Sequence, residues 1–158
     1  MEIAKYERWF MIATFTFIIG AALALIISVV GHHASLAESA GTIDPEEVRT
    51  TAPFDEPGLQ PSTDPDHDYD LVLVAQTWSW TPNDIVVPAG ANVRILATSV
   101  DVIHGLKLKD TNANVMVIPG QISEVRDVHF DEPGTYWLFC HEYCGLQHHS
   151  MTARVIAE

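Results

Sequence analysis

The sequence predicts an all-β domain, a small sandwich or barrel, carried behind one N-terminal transmembrane helix. Three observations support that prediction. An uncharged apolar run stands near the N-terminus, short β-rich segments with turn punctuation follow Tyr69, and no helical periods alternate with them to suggest βαβ units. At 158 residues there is room for one modest domain plus accessories.

Residues Trp9 to Gly31 read WFMIATFTFIIGAALALIISVVG, 23 positions without a charge. As a helix this run spans the ~30 Å hydrocarbon core of a bilayer. Lys5 and Arg8 flank it on the N-terminal side, and the next basic residue after it is Arg49. Positive charge is retained on the cytoplasmic side, so residues 1–8 are expected in the cytoplasm and everything after Gly31 outside. Tyr6 and Trp9 stand where interfacial aromatics belong. Ser35-Leu36-Ala37 offers small residues to a signal peptidase, but the apolar run exceeds the roughly 7–15 residues of a signal core, which favours a retained single-pass anchor in the cell membrane. His32 and His33 read as interfacial polar residues.

Residues 32–68 hold Pro45, Pro53, Pro57, Pro61 and Pro65 among acidic and small residues. Such a composition buries little apolar surface, so an extended connector lying on a surface is expected. Within it, Asp44-Pro45-Glu46-Glu47-Val48-Arg49 has an acid suited to the N-cap, proline at the first helical position and acids in the first turn, predicting one or two helical turns.

The β domain is predicted over residues 69–158. Tyr69–Gln76 and Asn92–Thr98 alternate polar and apolar residues, and 113–118, 122–130, 134–139 and 151–157 are similarly strand-like. Pro88-Ala89-Gly90, Pro119-Gly120 and Asp131-Glu132-Pro133-Gly134 punctuate them. About seven short strands make a sandwich whose core stabilises it modestly.

Lys and Arg number 8 against 21 Asp and Glu, a formal charge of −13, which argues against nucleic acid as a partner. A basic docking partner or a high-salt setting would each account for the acidity. No C-x-x-C-H run is present, so covalent c-type haem is not indicated.

The chemistry concentrates in Cys140-His141-Glu142-Tyr143-Cys144-Gly145-Leu146-Gln147-His148-His149-Ser150-Met151, which holds both cysteines, three of the eight histidines and one of the four methionines. Thiolate, imidazole and thioether form a soft ligand set that favours copper in either oxidation state. Cys140, Cys144, His148 and Met151 recur at spacings of four, four and three. His104, in Val102-Ile103-His104-Gly105 between a strand and a turn, is the natural remote ligand. A mononuclear blue-copper site needs one thiolate, two imidazoles and a weak axial Met. The second thiolate suggests instead two sulfurs bridging two coppers, each capped by an imidazole.

The pattern C-x-E-x-C-G-x-x-H-x-x-M with an upstream D-V-I-H resembles the CuA centre of subunit II of haem-copper terminal oxidases. The likeness runs from the anchor through Ile85-Val86-Val87-Pro88-Ala89-Gly90 to Ala157, and the single helix and short linker resemble the B-type branch. The resemblance implies a cupredoxin-like Greek-key fold and a dinuclear CuA site in which Cys140 and Cys144 bridge both coppers. His104 and Met151 would complete one copper, and His148 with the backbone carbonyl of Glu142 the other. In some branches the carboxylate at the Glu142 position helps hold magnesium at the interface with subunit I. Trp78 and Trp80 resemble the aromatic segment that lies over the copper site and receives electrons, although two tryptophans at i and i+2 also serve simply to cover a small core.

The implied role is uptake of single electrons on the outer face, from a cytochrome c or a small blue-copper protein. They pass to haem in subunit I for reduction of oxygen to water with proton pumping. This chain would then be a non-catalytic electron-transfer subunit of cytochrome c oxidase. A CuA-bearing nitric oxide reductase, a membrane-anchored mononuclear blue-copper shuttle and a disulfide-stapled export domain are the alternatives. A Cys140–Cys144 disulfide would close a very short loop, with Cα atoms required within about 4.4–6.8 Å, and would leave His148 and Met151 unexplained. His149 is expected to face water, His141 either to tune the site or to be solvated, His67 and His129 to lie on the surface, and Met116 to fill the core.

Overall fold

The computed structural model describes residues 4–31 and 39–158. His32, His33 and Ser35-Leu36-Ala37 lie outside the described residues. The chain divides into two compact units, Met1–Leu36 and Ala37–Glu158.

The first unit is helix α1, Lys5–Gly31. It begins four residues ahead of the uncharged run, because charged flanks extend a helix readily and the Glu7 carboxylate accepts the Ala4 N–H at 3.2 Å, satisfying one of the unpaired donors at the N-terminus. The helix is apolar on all sides and long enough to cross a membrane.

The second unit is a two-sheet sandwich of eleven strands. In chain order they are β1 (Ser39–Thr42), β2 (Gly58–Pro61), β3 (Tyr69–Gln76), β4 (Ser79–Thr81), β5 (Asp84–Val87), β6 (Asn92–Ser99), β7 (His104–Leu108), β8 (Asn114–Val117), β9 (Gln121–His129), β10 (Gly134–Cys140) and β11 (Thr152–Ala157). One sheet runs β1-β9-β6-β3-β2, with β4 also paired to β3, and the other runs β5-β11-β10-β7-β8. Most pairs are antiparallel, but β3 lies parallel to β6 and β5 parallel to β11. The six strands expected from the pattern are all present within a residue or two. β1, β2, β4, β5 and β7 are additional, being three to five residues long and too short to show a period.

The inner face follows the pleat. Leu71, Leu73 and Ala75 of β3, Val93, Ile95 and Ala97 of β6, and Leu138 and Cys140 of β10 meet Leu106, Leu108, Ala153 and Val155. β3 is nonetheless buried on both faces, which a strand with one solvated side would not be. The expectation of a connector with little buried surface over residues 32–68 therefore fails for its described part. Ile43, Val48 and Phe54 cover Val72, Val74 and Leu96 on the outer face of the larger sheet, and β1 and β2 extend that sheet's two edges. Isolated apolar residues in a proline-rich stretch suffice here because the chain runs along a ready-made apolar surface. The predicted helical turn arises late, as a 3₁₀ turn over Val48–Thr50, while Asp44 accepts the Glu46 N–H at 3.0 Å. Met116 does not fill the core: it is half-buried and alternates with the buried Val115 and Val117.

Candidate metal centre

The donor atoms come from β7, from the end of β10, from the loop that follows it and from Met151, the residue just before β11. His104 is the first residue of β7 and is fully buried. Cys140 is the last residue of β10, where the inward side of the pleat puts its sulfur at the end of the core. The chain then leaves the sheet, with Cys140 N–H bonded to Met151 O and His141 N–H to Gly105 O. A 3₁₀ turn over His148–Ser150 returns it to β11. That short excursion holds Cys144 and Met151 in the core's end while His148 stays half-buried.

The two sulfurs lie 3.8 Å apart and both cysteines are free. Each sulfur is approached by two further donors. His104 Nδ1 stands 3.8 Å from Cys140 Sγ, and the Glu142 carbonyl accepts the Cys140 thiol at 3.2 Å. His148 Nδ1 and Met151 Sδ each stand 3.6 Å from Cys144 Sγ. All six donors named from the sequence thus converge on one sulfur pair. The ligand atoms of His104, Cys140 and Cys144 fall within 4.8 Å of one another, and no second such group of histidine, cysteine or acid side chains occurs among the described residues. Among the described residues, Glu142 belongs to no group of acid and imidazole side chains that could hold a magnesium ion.

Burial pushes the Cys144 thiol up to about 11, with hydrogen bonding and charge from Cys140 adding to it, so the thiol holds its proton at neutral pH until a cation displaces it. Two sulfurs 3.8 Å apart leave room for a cation between them at thiolate–metal distances of about 2.3 Å. Soft sulfur, two imidazoles and a thioether are a copper donor set. Asp101 was not singled out by the sequence, although D-V-I-H contains it. Its Oδ1 lies 2.9 Å from His104 Nε2. Burial raises its pKa, but hydrogen bonds from His104, the Thr77 and Val102 N–H groups and the Thr77 hydroxyl outweigh that and hold it at about 2.

The tryptophans take different places. Trp80 is buried in the core with its ring centroid 6.3 Å from that of His104. Trp78 is half-buried, and its Nε1 lies 3.0 Å from where a Cβ on Gly145 would stand. Gly145 also has φ +119°, so both its backbone and the indole above it require glycine. The ring of His141, an exposed residue, would be 2.4 Å from a Cβ on Gly105, a close approach the spacing did not signal. His129 and His149 are exposed. His67 is a correction: it is buried, because the loop carrying it folds against the irregular stretch of β9 at Asp127, whose N–H donates to His67 Nε2 at 3.3 Å.

Fold and site together define a cupredoxin-like domain that gathers a sulfur and imidazole donor set at one end of its sandwich. The model of the family described as the periplasmic domain of cytochrome c oxidase subunit II matches residues 69–157, more than half of the chain. The chain belongs to the cytochrome c oxidase subunit II family. It is 35% identical over 139 residues to a cytochrome c oxidase subunit 2 of Thermus thermophilus, covering 86% of this chain and 82% of that one. An alternative cytochrome c oxidase subunit 2 of Bradyrhizobium diazoefficiens is 30% identical over 120 residues, covering 75% of this chain and 39% of the relative. Among solved structures, a chain of a haem-copper terminal oxidase dimer superposes with a TM-score of 0.69 at 28% identity, covering 98% of this chain and all of that one. The periplasmic domain of subunit II of the Bradyrhizobium japonicum cytochrome oxidase, at 22% identity and a TM-score of 0.55, covers 60% of this chain and shares the fold.

Proposed function

We propose that this chain is the electron-accepting subunit II of a membrane terminal oxidase. In this reading His104, Cys140, Cys144, His148, Met151 and the Glu142 carbonyl hold a dinuclear copper centre. The observation that carries it is the pairing of donors about two sulfurs: each cysteine has one imidazole nitrogen and one weaker donor beside it. A mononuclear blue-copper site would leave the second thiol without a role. When bound, the copper pair supplies a reversible one-electron store.

The residues of the chain provide the conditions for that store. The core beneath Cys140, Cys144 and Met151 keeps water from the sulfurs and fixes their separation, so little has to move when the charge changes. Trp78, over the Cys144–Gly145 turn, offers a π-system between the site and an approaching donor. Val102, Ile103, Tyr143 and Leu146, all exposed neighbours of ligand residues, form an apolar rim suited to a short-lived contact with a cytochrome c or small blue-copper protein. The donor is oxidised by one electron, which passes to haem in subunit I. There oxygen is reduced to water with proton pumping, so the oxygen chemistry lies outside this chain. Lys5 and Arg8 support an N-terminus in the cytoplasm and the β domain on the outer face, and the single apolar helix supports the B-type branch.

The test is copper content and electron spin resonance of the full chain in detergent. Two coppers per chain with hyperfine splitting from two equivalent nuclei are expected, and Cys140→Ser or Cys144→Ser abolishes that signal. One copper per chain with single-nucleus splitting would sink the dinuclear reading.

A further inference from the structure

The carboxylate of Asp101 is engaged on both oxygens. Oδ1 lies 2.9 Å from His104 Nε2 and accepts the Val102 N–H at 2.7 Å and the Ser99 hydroxyl at 3.3 Å. Oδ2 accepts the Thr77 N–H at 2.6 Å and the Thr77 hydroxyl at 2.8 Å. Thr77 immediately precedes Trp78 in the turn between β3 and β4, and Trp78 in turn rests on Gly145, the neighbour of Cys144. One side chain therefore joins the β7 histidine to the tryptophan turn from a different part of the fold.

We propose that Asp101 is a positioning residue for the metal centre, fixing His104 with its proton on Nε2 and Nδ1 aimed at Cys140, and clamping the Thr77–Trp78 turn over the Cys144–Gly145 turn. The proposal rests on the dinuclear reading for its consequences but not for its geometry. An ionised carboxylate only accepts hydrogen bonds, so the imidazole nitrogen facing it must carry hydrogen. With Nε2 so committed, the ring's second nitrogen faces the sulfurs, and its orientation is set before any metal arrives. A carboxylate behind a ligating imidazole also raises the basicity of the nitrogen in front, which favours the more oxidised metal. Asparagine cannot substitute. Its single amide oxygen can face His104 or Thr77, and either choice turns an NH₂ toward the remaining donor.

The experiment compares the wild-type full chain with Asp101→Asn, each labelled with ¹⁵N-histidine in detergent micelles. In the copper-free wild type, the ¹⁵N shifts of His104 report a single tautomer protonated on Nε2, and in Asp101→Asn they report a mixture. After copper loading, Asp101→Asn is expected to bind copper about 10–100-fold more weakly, as is typical for partners of metal-ligating histidines. Its reduction potential is expected to rise. If Asp101→Asn does not fold, Thr77→Val, which removes one bond to Oδ2 and no charge, shifts affinity and potential in the same directions by less. An unchanged tautomer with unchanged affinity and potential in Asp101→Asn overturns the proposal, as do unmoved values in Thr77→Val. Failure of the dinuclear reading looks different: the wild type itself would take up no copper pair, while the tautomer comparison would still decide whether Asp101 positions His104.

Discussion

His104 and His67 are the buried histidines among the described residues, and each sits beside aspartate, yet their environments are opposite in kind. His104 has one nitrogen held by Asp101 and the other turned to a cysteine sulfur. His67 accepts the Asp127 N–H on Nε2, which places its proton on Nδ1. That nitrogen has no hydrogen-bond partner and lies 3.6 Å from Asp64 Oδ2. Asp127 Oδ1 stands 3.5 Å from Nε2. Around His104 the free nitrogen meets a soft, polarisable sulfur, whereas the polar partners beside His67 are hard carboxylate oxygens and a peptide N–H. Burial and a nearby carboxylate therefore do not make a metal ligand. What distinguishes one is a second nitrogen left unspent and facing the other members of a donor set. His67 instead secures the loop before β3 to β9 at Asp127.

The largest expected effect separates the two residues directly. His104→Ala should weaken copper binding by at least ~100-fold, beyond the range typical of residues one bond further from a metal. His67→Gln should leave copper content and spectrum unchanged while lowering stability by about 1 kcal/mol, the scale of one net hydrogen bond. Metal analysis and thermal melts of the full chain measure both. Copper loss in His67→Gln would mean that the two environments are coupled after all.

The site was readable from the sequence to the extent that its chemistry is local. Cys140, Cys144, His148 and Met151 must be of those types at those spacings to serve one loop, and His104 stood out at a strand end. Asp101 was not readable as a clamp, because its second partner, Thr77, is brought to it by the packing of two loops 24 residues apart in sequence. The outer layer was harder still. Val48 and Phe54 are single apolar residues in a proline-rich acidic stretch, without a period to mark them. Their burial depends on the outward side of β3 and β6, whose apolar residues read as strand signal but not as a surface awaiting cover. The burial of His67 is equally hidden in the sequence, because it rests on Asp127, 60 residues further on.

A smaller effect sharpens the contrast from the oxygen-rich side. Arg94 donates from Nε to Asp70 Oδ1 at 2.9 Å and from a terminal nitrogen to Oδ2 at 2.6 Å, and also approaches Asp64 and Glu124. Burial pushes the Asp70 carboxyl up, but the Arg94, Ser62 and Thr63 hydrogen bonds outweigh it and hold the group below its ordinary value. A carboxyl depressed in the folded state contributes stability that is fully present above its unfolded value, about 3.9, and is lost as pH falls through the folded one. Asp70→Asn should therefore lower stability by about 2 kcal/mol at pH 7, a typical figure for hydrogen bonds to a charged group. Its deficit against the wild type should shrink below about pH 4. Chemical denaturation across pH measures this, and a constant deficit down to pH 2 would show that the ionised carboxylate is not what Arg94 holds.

The smallest expected effect returns to the metal loop. His149 is exposed and adjoins His148, whose Nδ1 stands 3.6 Å from Cys144 Sγ. Both belong to the 3₁₀ turn His148–Ser150, in which successive side chains point about 120° apart, so only one of the pair can face the sulfurs while the turn is intact. The turn is held by backbone bonds, from His148 N–H to Gly145 O and from Met151 N–H to His148 O, and neither uses the His149 ring. His149→Ala should keep the copper content and the two-nucleus splitting, with a change in copper affinity below about twofold, whereas His148→Ala should lose the signal. Loss of copper in His149→Ala with retention in His148→Ala would show that the loaded loop turns by one residue relative to the metal-free one. It would move the ligand assignment to His149 while leaving the distinction between soft and hard surroundings intact.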